Sequence, residues 1–214
     1  MKRLIILLIL CWAAVPARAE MPVILVLGDS ISAGYGLSSP AEGWAALLQA
    51  KLREQGYGYE VVNASVSGET TAGGLARLPR ALDLHHPSIV ILELGGNDGL
   101  RALATAQMLA NLERMVDIAT AAGAKVLLLG MRIPPNYGPE YTAQFAAVYS
   151  NLAREKQLPL VPFLLKGIAL SLDRMQPDGI HPNQSGQALL LDNVWPELAP
   201  LLRQRPHFRP FGPP

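Results

Sequence analysis

Apolar residues along this chain follow two alternating patterns. Short apolar runs at 23–27, 59–62, 89–94, 125–129 and 158–161 are predicted to be strands, and four of these five runs are almost continuously apolar, as in strands covered on both faces. Longer segments in which apolar residues recur every three or four positions predict helices at 43–55, 71–84, 103–121, 141–156 and 184–202. The repeated order of strand, helix and strand predicts an α/β fold with a parallel sheet and right-handed crossovers.

The two ends of the chain do not follow these patterns. Lys2 and Arg3 precede the apolar run 4–10, and Ala17-Arg18-Ala19 places small residues two positions apart, which is typical of an export signal cleaved after Ala19. A retained membrane anchor is the less favoured alternative, because the apolar run is shorter than the roughly 20 residues that cross a bilayer. The tail 204–214 contains four prolines and no periodicity, so it is predicted to be disordered. We therefore expect a signal at 1–19 and one folded domain at 20–203.

Composition narrows the class of protein. Half of the 214 residues are apolar and 16% are charged, which suits one domain with a substantial core. The chain has 18 basic and 17 acidic residues, and loss of residues 1–19 leaves 15 basic and 17 acidic residues without any basic cluster, so nucleic-acid binding is not expected. The single cysteine, Cys11, lies in the predicted signal, which excludes disulfides, thiol catalysis and cysteine metal sites from the exported chain.

Polar segments follow the predicted strands. Segments 28–34, 63–68 and 95–99 come after the first three strands, and segment 178–183 precedes the last helix. In an open parallel sheet, ligands bind in the crevice at the carboxyl ends of the strands. We therefore expect these four segments to meet at one edge of the sheet.

Ser30 is the candidate nucleophile. It follows a strand on a turn that has glycine on both sides, at 28 and 34, where a hydroxyl stands exposed. The alternatives are a helix N-cap and a phosphate-binding loop, but neither phosphate-loop glycine pattern is present. The G-x-S-x-G pattern is also absent here, which argues against the usual α/β-hydrolase.

Asp178 and His181 are the candidate partners of this nucleophile. Three extended residues span about 10 Å, but Gly179 permits a tight turn and Pro182 suits the first position of a helix, so the segment can fold back. Asp178 then holds the Nδ1 proton of His181 and leaves Nε2 to act as a base. In the alternative interpretation, Asp178 only caps the last helix and His181 is incidental.

A serine that attacks a carbonyl carbon also needs hydrogen-bond donors for the oxygen that becomes negative. The backbone N–H groups of Ser30 and Gly68 and the side-chain amide of Asn97 are the candidates. For Asn97, which stands close to glycines and beside Asp98, turn formation is an alternative role.

Taken together, these segments resemble those of the SGNH or GDSL hydrolase family. The matching residues are Gly28-Asp29-Ser30, Gly68, Gly96-Asn97-Asp98 and Asp178 to His181, in the family's order. The similarity extends from about Val23 to Leu202 and is greatest to the periplasmic multifunctional esterases of Gram-negative bacteria, which act as thioesterase, arylesterase and lysophospholipase. It implies a three-layer α/β/α hydrolase domain at 20–203 with a flavodoxin-like parallel sheet of about five strands.

The resemblance also implies the roles of individual residues. Ser30 is the nucleophile, His181 the general base and Asp178 its orienting partner, while Ser30, Gly68 and Asn97 form the oxyanion hole. Asp29 and Asp98 are expected to order their loops. Neither a metal nor a cofactor is expected, although a metal site at Asp83, His85 and His86 is a remote alternative.

The substrate is predicted from the loops that should border the site, 99–104 and 131–141. Their apolar rim is formed by Leu100, Ile133, Pro134, Pro135 and Tyr137. Each buried CH₂ of an acyl chain gains about 0.8 kcal/mol, so the rim favours fatty acyl esters and thioesters, including lysophospholipids, over acetylated sugars. If these residues only pack the loops, a carbohydrate deacetylase or a non-catalytic binding module is the alternative. We expect a monomer with a small ester or thioester substrate, exported to the periplasm or beyond, without stable membrane insertion.

Overall fold

A computed structural model describes residues 21–203, and the predictions for the signal and for the tail lie outside these residues. A single parallel sheet has the strand order β2-β1-β3-β4-β5. This is the flavodoxin-like order, so the predicted fold class is confirmed. The strands are β1 (Val23–Gly28), β2 (Glu60–Asn63), β3 (Ile89–Glu93), β4 (Lys125–Leu129) and β5 (Leu160–Val161).

All five predicted helices are present, with small differences at their ends. Two further helices, α1 and α4, were not predicted, because four or five residues are too few to show a helical period. The last helix ends at Leu198 and continues as a short 3₁₀ turn, Ala199–Leu201. The helices are α1 (Ser30–Ala33), α2 (Trp44–Glu54), α3 (Thr71–His85), α4 (Gly96–Leu100), α5 (Thr105–Ala121), α6 (Pro139–Lys156) and α7 (Gln184–Leu198).

The long helices form two layers, one on each face of the sheet. Helix α2 packs against α7 in one layer, while α3, α5 and α6 pack side by side in the other. The central strand β3 is buried along its whole length, as its apolar run predicts. The largest fully buried side chains of the helices are Trp44, Phe145 and Tyr149.

The strand register brings three of the polar segments together. Gly28 at the end of β1 is paired with Glu93 at the end of β3, and Val26 of β1 is paired with Asn63 at the end of β2. The chain turns to opposite sides of the sheet after β1 and β3, which is the switch point where ligands bind in this class of fold. The segments after β1, β2 and β3 therefore leave the sheet next to one another.

We predict that truncation of Leu112 destabilises the protein and that truncation of Leu84 does not. Both leucines lie on helices, but Leu112 is fully buried and Leu84 is 68% exposed. Leu112→Ala should lower the free energy of unfolding by about 2–5 kcal/mol, because it leaves a cavity in the core. Leu84→Ala should change it by less than about 0.5 kcal/mol. Urea titration of both variants measures the difference, and equal losses would contradict the assignment of this face of α5 to the core.

Candidate active site

The turn after β1 carries Ser30 at the start of a short helix. Asp29 is the N-cap of α1, because its Oδ1 accepts the N–H of Ile31 at 3.0 Å, and Ser30 is the first helical residue. The suggested role of Ser30 as the cap is therefore wrong. Gly34 ends the helix in the left-handed region, with φ of 74°, which a glycine adopts without strain. The Ser30 hydroxyl is left half-buried and free to bond outside its own turn.

The hydroxyl bonds to His181, which lies 151 residues away in the sequence. His181 Nε2 is 2.8 Å from Ser30 Oγ, and His181 Nδ1 is 2.7 Å from Asp178 Oδ2. Gly179 has a φ of 67° and allows the tight turn that brings the carboxylate back to the ring. The arrangement is a serine, histidine and aspartate in hydrogen-bonded series, as a nucleophile with a base and an orienting acid requires.

A different residue caps the last helix. Asn183 accepts the N–H groups of Ser185 and Gly186 and is the N-cap of α7. The alternative role of Asp178 as the cap is therefore wrong. Pro182 precedes the cap instead of occupying the first helical position, so that part of the prediction is also wrong. Since Asn183 takes the capping role, Asp178 is free to bond the histidine.

Asp178 is stabilised as a carboxylate. Its partial desolvation on its own would raise the pKa, but hydrogen bonds from the His181 ring and from the backbone N–H groups of His181 and Ile180 outweigh it and lower the pKa to about 2. The side chain remains 38% exposed, so the effect comes from donors and not from a dry environment. Asp178 is therefore an anion over the whole physiological pH range.

Asn97 lies on α4 and faces the same turn. Its Nδ2 donates to Asp29 Oδ2 at 3.1 Å, which fixes the plane of the amide and leaves its second N–H to point elsewhere. Gly95, which precedes α4, has a φ of 112° and lies so close to Tyr149 that a Cβ there would be 2.4 Å from the phenolic oxygen. A glycine is therefore required to start the short helix that carries Asn97.

Gly68 belongs to a loop that is hydrogen-bonded to the end of β1, just before Ser30. The N–H of Val66 donates to Gly28 O at 3.0 Å, and Arg101 donates to Gly68 O at 3.0 Å. Among residues 21–203, the backbone N–H groups of Ser30 and Gly68 donate to no other residue. Among the described residues, the backbone N–H groups of Ser30 and Gly68 and the second N–H of the Asn97 amide are thus left without a partner.

The pKa of Asp29 is shifted in the opposite direction from that of Asp178. It is 2% exposed, and burial raises its pKa from 3.8 to about 6, against the lowering effects of the Ile31 N–H, the charge of His181 and the Asn97 amide. Because the folded-state pKa is raised, folding takes up a proton between about pH 4 and 6, and the contribution of this carboxyl to stability falls as the pH rises through that window.

Several residues that hold the site together were missed from the sequence. Gln176 Nε2 donates to Tyr35 O at 2.7 Å and to Pro182 O at 3.1 Å, which connects the Ser30 segment to the His181 segment. The Tyr35 ring lies 4.6 Å from the His181 ring, centroid to centroid. The only trace of this contact in the sequence is the glycine at position 36, because a side chain there would overlap Gln176.

The two loops on which the apolar rim was predicted contact each other. Tyr137 donates its hydroxyl proton to Leu100 O at 2.8 Å, and a Cβ at Gly99 would lie 2.5 Å from Ile133. Pro134 and Pro135 are exposed. Other large apolar side chains on the segments that form the site are also exposed, namely Tyr35, Val66, Leu103 and Ile180. Apolar surface is therefore available next to Ser30 and His181 as well as on the two predicted loops.

Two other kinds of feature are absent from the described part of the chain. Within residues 21–203, no group of three or more histidine, cysteine or acidic side chains is arranged to hold a metal ion, and this includes Asp83, His85 and His86. Over the same residues, none of the helices has the length and apolar character that crossing a bilayer requires.

Comparison with known proteins points to one family. The model of the GDSL-like Lipase/Acylhydrolase family matches residues 26–189. The chain is 54% identical over 185 residues to Esterase TesA of Pseudomonas aeruginosa, covering 86% of this chain and 92% of that protein. It is 44% identical over 184 residues to Thioesterase 1/protease 1/lysophospholipase L1 of Escherichia coli K12, covering 86% of each chain. A crystal structure of TesA superposes with a TM-score of 0.82 at 55% identity, covering 84% of this chain and 99% of that one.

We predict that the two aspartates titrate on opposite sides of the ordinary value of 3.8. The carboxyl carbon of Asp178 should titrate near pH 2 and that of Asp29 near pH 6, as measured by carbon NMR with each signal assigned by substitution. In His181→Ala, Asp178 loses the donor from the ring, so its midpoint should move to higher pH. Similar midpoints for the two aspartates would contradict the environments described above.

Proposed function

This chain belongs to the GDSL-like lipase/acylhydrolase family, and we propose that it is a serine esterase that hydrolyses carboxylic esters and thioesters through Ser30. The observation that carries the proposal is the 2.8 Å contact between Ser30 Oγ and His181 Nε2, with Asp178 on the far side of the ring at 2.7 Å. A base at hydrogen-bond distance is what a serine hydroxyl needs to become a nucleophile.

In the proposed reaction, Ser30 Oγ attacks the carbonyl carbon of the ester while its proton moves to His181 Nε2. The imidazolium that forms is stabilised by Asp178, which is already ionised. His181 then gives the proton to the leaving alcohol or thiol as the bond to the acyl carbon breaks. Water, deprotonated by the same Nε2, attacks the acyl-serine and releases the carboxylic acid and free Ser30.

The oxyanion formed in each step is held by the backbone N–H groups of Ser30 and Gly68 and by the Asn97 amide. Support comes from their placement: Asn97 is anchored on Asp29 through one N–H, and the Gly68 loop is bonded to Gly28. Donors that are oriented before the reaction need no reorganisation as charge develops, which is why such groups contribute strongly to the rate.

We further propose that the substrates are fatty acyl and aryl esters, acyl thioesters and lysophospholipids. We also propose that the enzyme acts in the periplasm or outside the cell, after the signal is cleaved at Ala19. The apolar side chains beside the site, such as Tyr35 and Ile180, support an acyl chain over a small acetyl group. The Escherichia coli relative carries the words thioesterase and lysophospholipase in its name, which agrees with this substrate class.

The decisive experiment compares wild type, Ser30→Ala and Ser150→Ala on chromogenic esters of increasing acyl length. Ser150 is an exposed serine on α6 and serves as the matched control. We expect wild type and Ser150→Ala to hydrolyse the esters with kcat/KM rising with chain length, and Ser30→Ala to lose activity by about 10⁴-fold or more. Equal low rates in all three proteins would favour a binding module. Rates highest for acetyl esters would favour a deacetylase.

Removal of the Asn97 amide should lower kcat with little change in KM. We expect Asn97→Ala to reduce kcat by about 10²- to 10³-fold, because its hydrogen bond strengthens only as the oxyanion forms. Asn151→Ala, which removes an exposed asparagine on α6, should leave both constants unchanged. A change mainly in KM would remove Asn97 from the oxyanion hole. Steady-state kinetics on one soluble ester give kcat and KM for wild type, Asn97→Ala and Asn151→Ala.

A further inference from the structure

Glu93 is a fully buried carboxyl group that the proposed reaction does not use. It stands at the end of β3, inside the apolar run from Ile89 to Leu94, with no exposed surface. Its Oε2 accepts the backbone N–H of Asp29 at 3.1 Å and the hydroxyl of Ser32 at 2.7 Å. These donors lie on either side of Ser30, so Glu93 bonds the chain immediately before and shortly after the nucleophile.

The packing around Glu93 leaves no room for a side chain at position 28. Gly28 is paired with Glu93 in the sheet, and a Cβ at Gly28 would lie 2.6 Å from Glu93 Oε2 and 2.8 Å from Ser32 Cβ. Trp44, also fully buried, donates its indole N–H to Ser32 Oγ at 3.2 Å. Ser32 is therefore held between a donor on α2 and an acceptor on β3.

The two oxygens of Glu93 have different environments. Oε2 receives both hydrogen bonds, while Oε1 is buried and has no partner among residues 21–203. Burial raises the pKa of Glu93 well above its ordinary value, and the nearby carboxylate of Asp29 raises it further. Both hydrogen bonds therefore converge on the one oxygen, Oε2, that faces the Ser30 turn.

We propose that Glu93 is a positioning residue that fixes the Ser30 turn against the strand leading to Asn97. This inference rests on the proposed role of Ser30 as the nucleophile. Glu93 touches neither the substrate nor the reacting atoms. It acts through the hydrogen bonds from Asp29 N–H and Ser32 Oγ. These bonds keep a constant distance between the nucleophile Ser30 and the oxyanion donor Asn97, which lie on different segments. Small misplacements of reacting groups are costly to the rate, so the effect should fall on kcat.

The test compares Glu93→Met with Glu93→Gln, which is the matched control. Methionine fills a similar space without an acceptor, whereas the glutamine oxygen accepts the same two donors without a charge. We expect Glu93→Met to lower kcat by about tenfold or more with KM within about twofold, and Glu93→Gln to restore kcat to within about threefold of wild type. The rate at which an organophosphate modifies Ser30, followed by mass spectrometry, should fall and recover in parallel.

Three results would overturn this inference: an unchanged kcat in Glu93→Met, a change confined to KM, or a loss in Glu93→Gln as large as that in Glu93→Met. If Glu93→Met does not fold, as judged by thermal unfolding, Ser32→Ala decides. That variant removes one of the two donors to Glu93, so it should lower kcat and the rate of organophosphate modification several-fold. Wild-type values of both rates would overturn the positioning role of Glu93. Ser30→Ala in the same assays separates this inference from the proposed function, because full activity in that variant would refute the nucleophile itself.

Discussion

The close approach of β1 and β3 at their carboxyl ends is the constraint on which the site depends. Only a glycine fits at position 28, because the carboxyl of Glu93 and the side chain of Ser32 occupy the space beside it. The chain must then turn sharply, and its backbone N–H groups need partners in a region closed to water. Asp29 supplies one acceptor from its own side chain and Glu93 supplies the other from the neighbouring strand. The half-buried Ser30 hydroxyl, which is free to bond His181, is a consequence of this arrangement.

Three carboxyl groups near Ser30 have differently shifted pKa values because their surroundings differ. Asp178 is partly exposed and receives three hydrogen bonds, which lower its pKa to about 2. Asp29 is buried with fewer donors and has a pKa of about 6, and Glu93, buried beside Asp29, has a pKa raised further from its ordinary value. The carboxyl group with the lowered pKa thus lies against the His181 ring, and Glu93, whose pKa is raised by burial, lies behind the Ser30 turn and accepts the N–H of Asp29.

Periodicity predicted the sheet and the long helices because each buries a continuous apolar face, as the β3 run and the α5 face both do. It missed α1 and α4, whose few residues are held by contacts from other segments. The candidate residues Ser30, Asp178 and His181 stood out because each follows or precedes a glycine-containing turn. Glu93 was overlooked, although an acid within a run expected to be covered on both faces is itself a signal for a buried partner. The capping role of Asn183 depended on where α7 begins, and sequence patterns locate helix ends poorly.

Gln176 could not be predicted from the sequence for a different reason. Its partner Tyr35 is 141 residues away, and no local sequence pattern indicates a contact over that separation. His181 lies on the long irregular segment between β5 and α7, not on a strand end, and backbone packing alone does not fix its ring. The segment is held by Gln176, by the bridge between Met175 and Pro182, and by Asn183, which donates to the carbonyl oxygens of Asp173 and Met175. These bonds lie outside the Ser30, His181 and Asp178 series. The contact between Ser30 and His181 therefore depends on residues outside that series, and its geometry is a property of the loop as a whole.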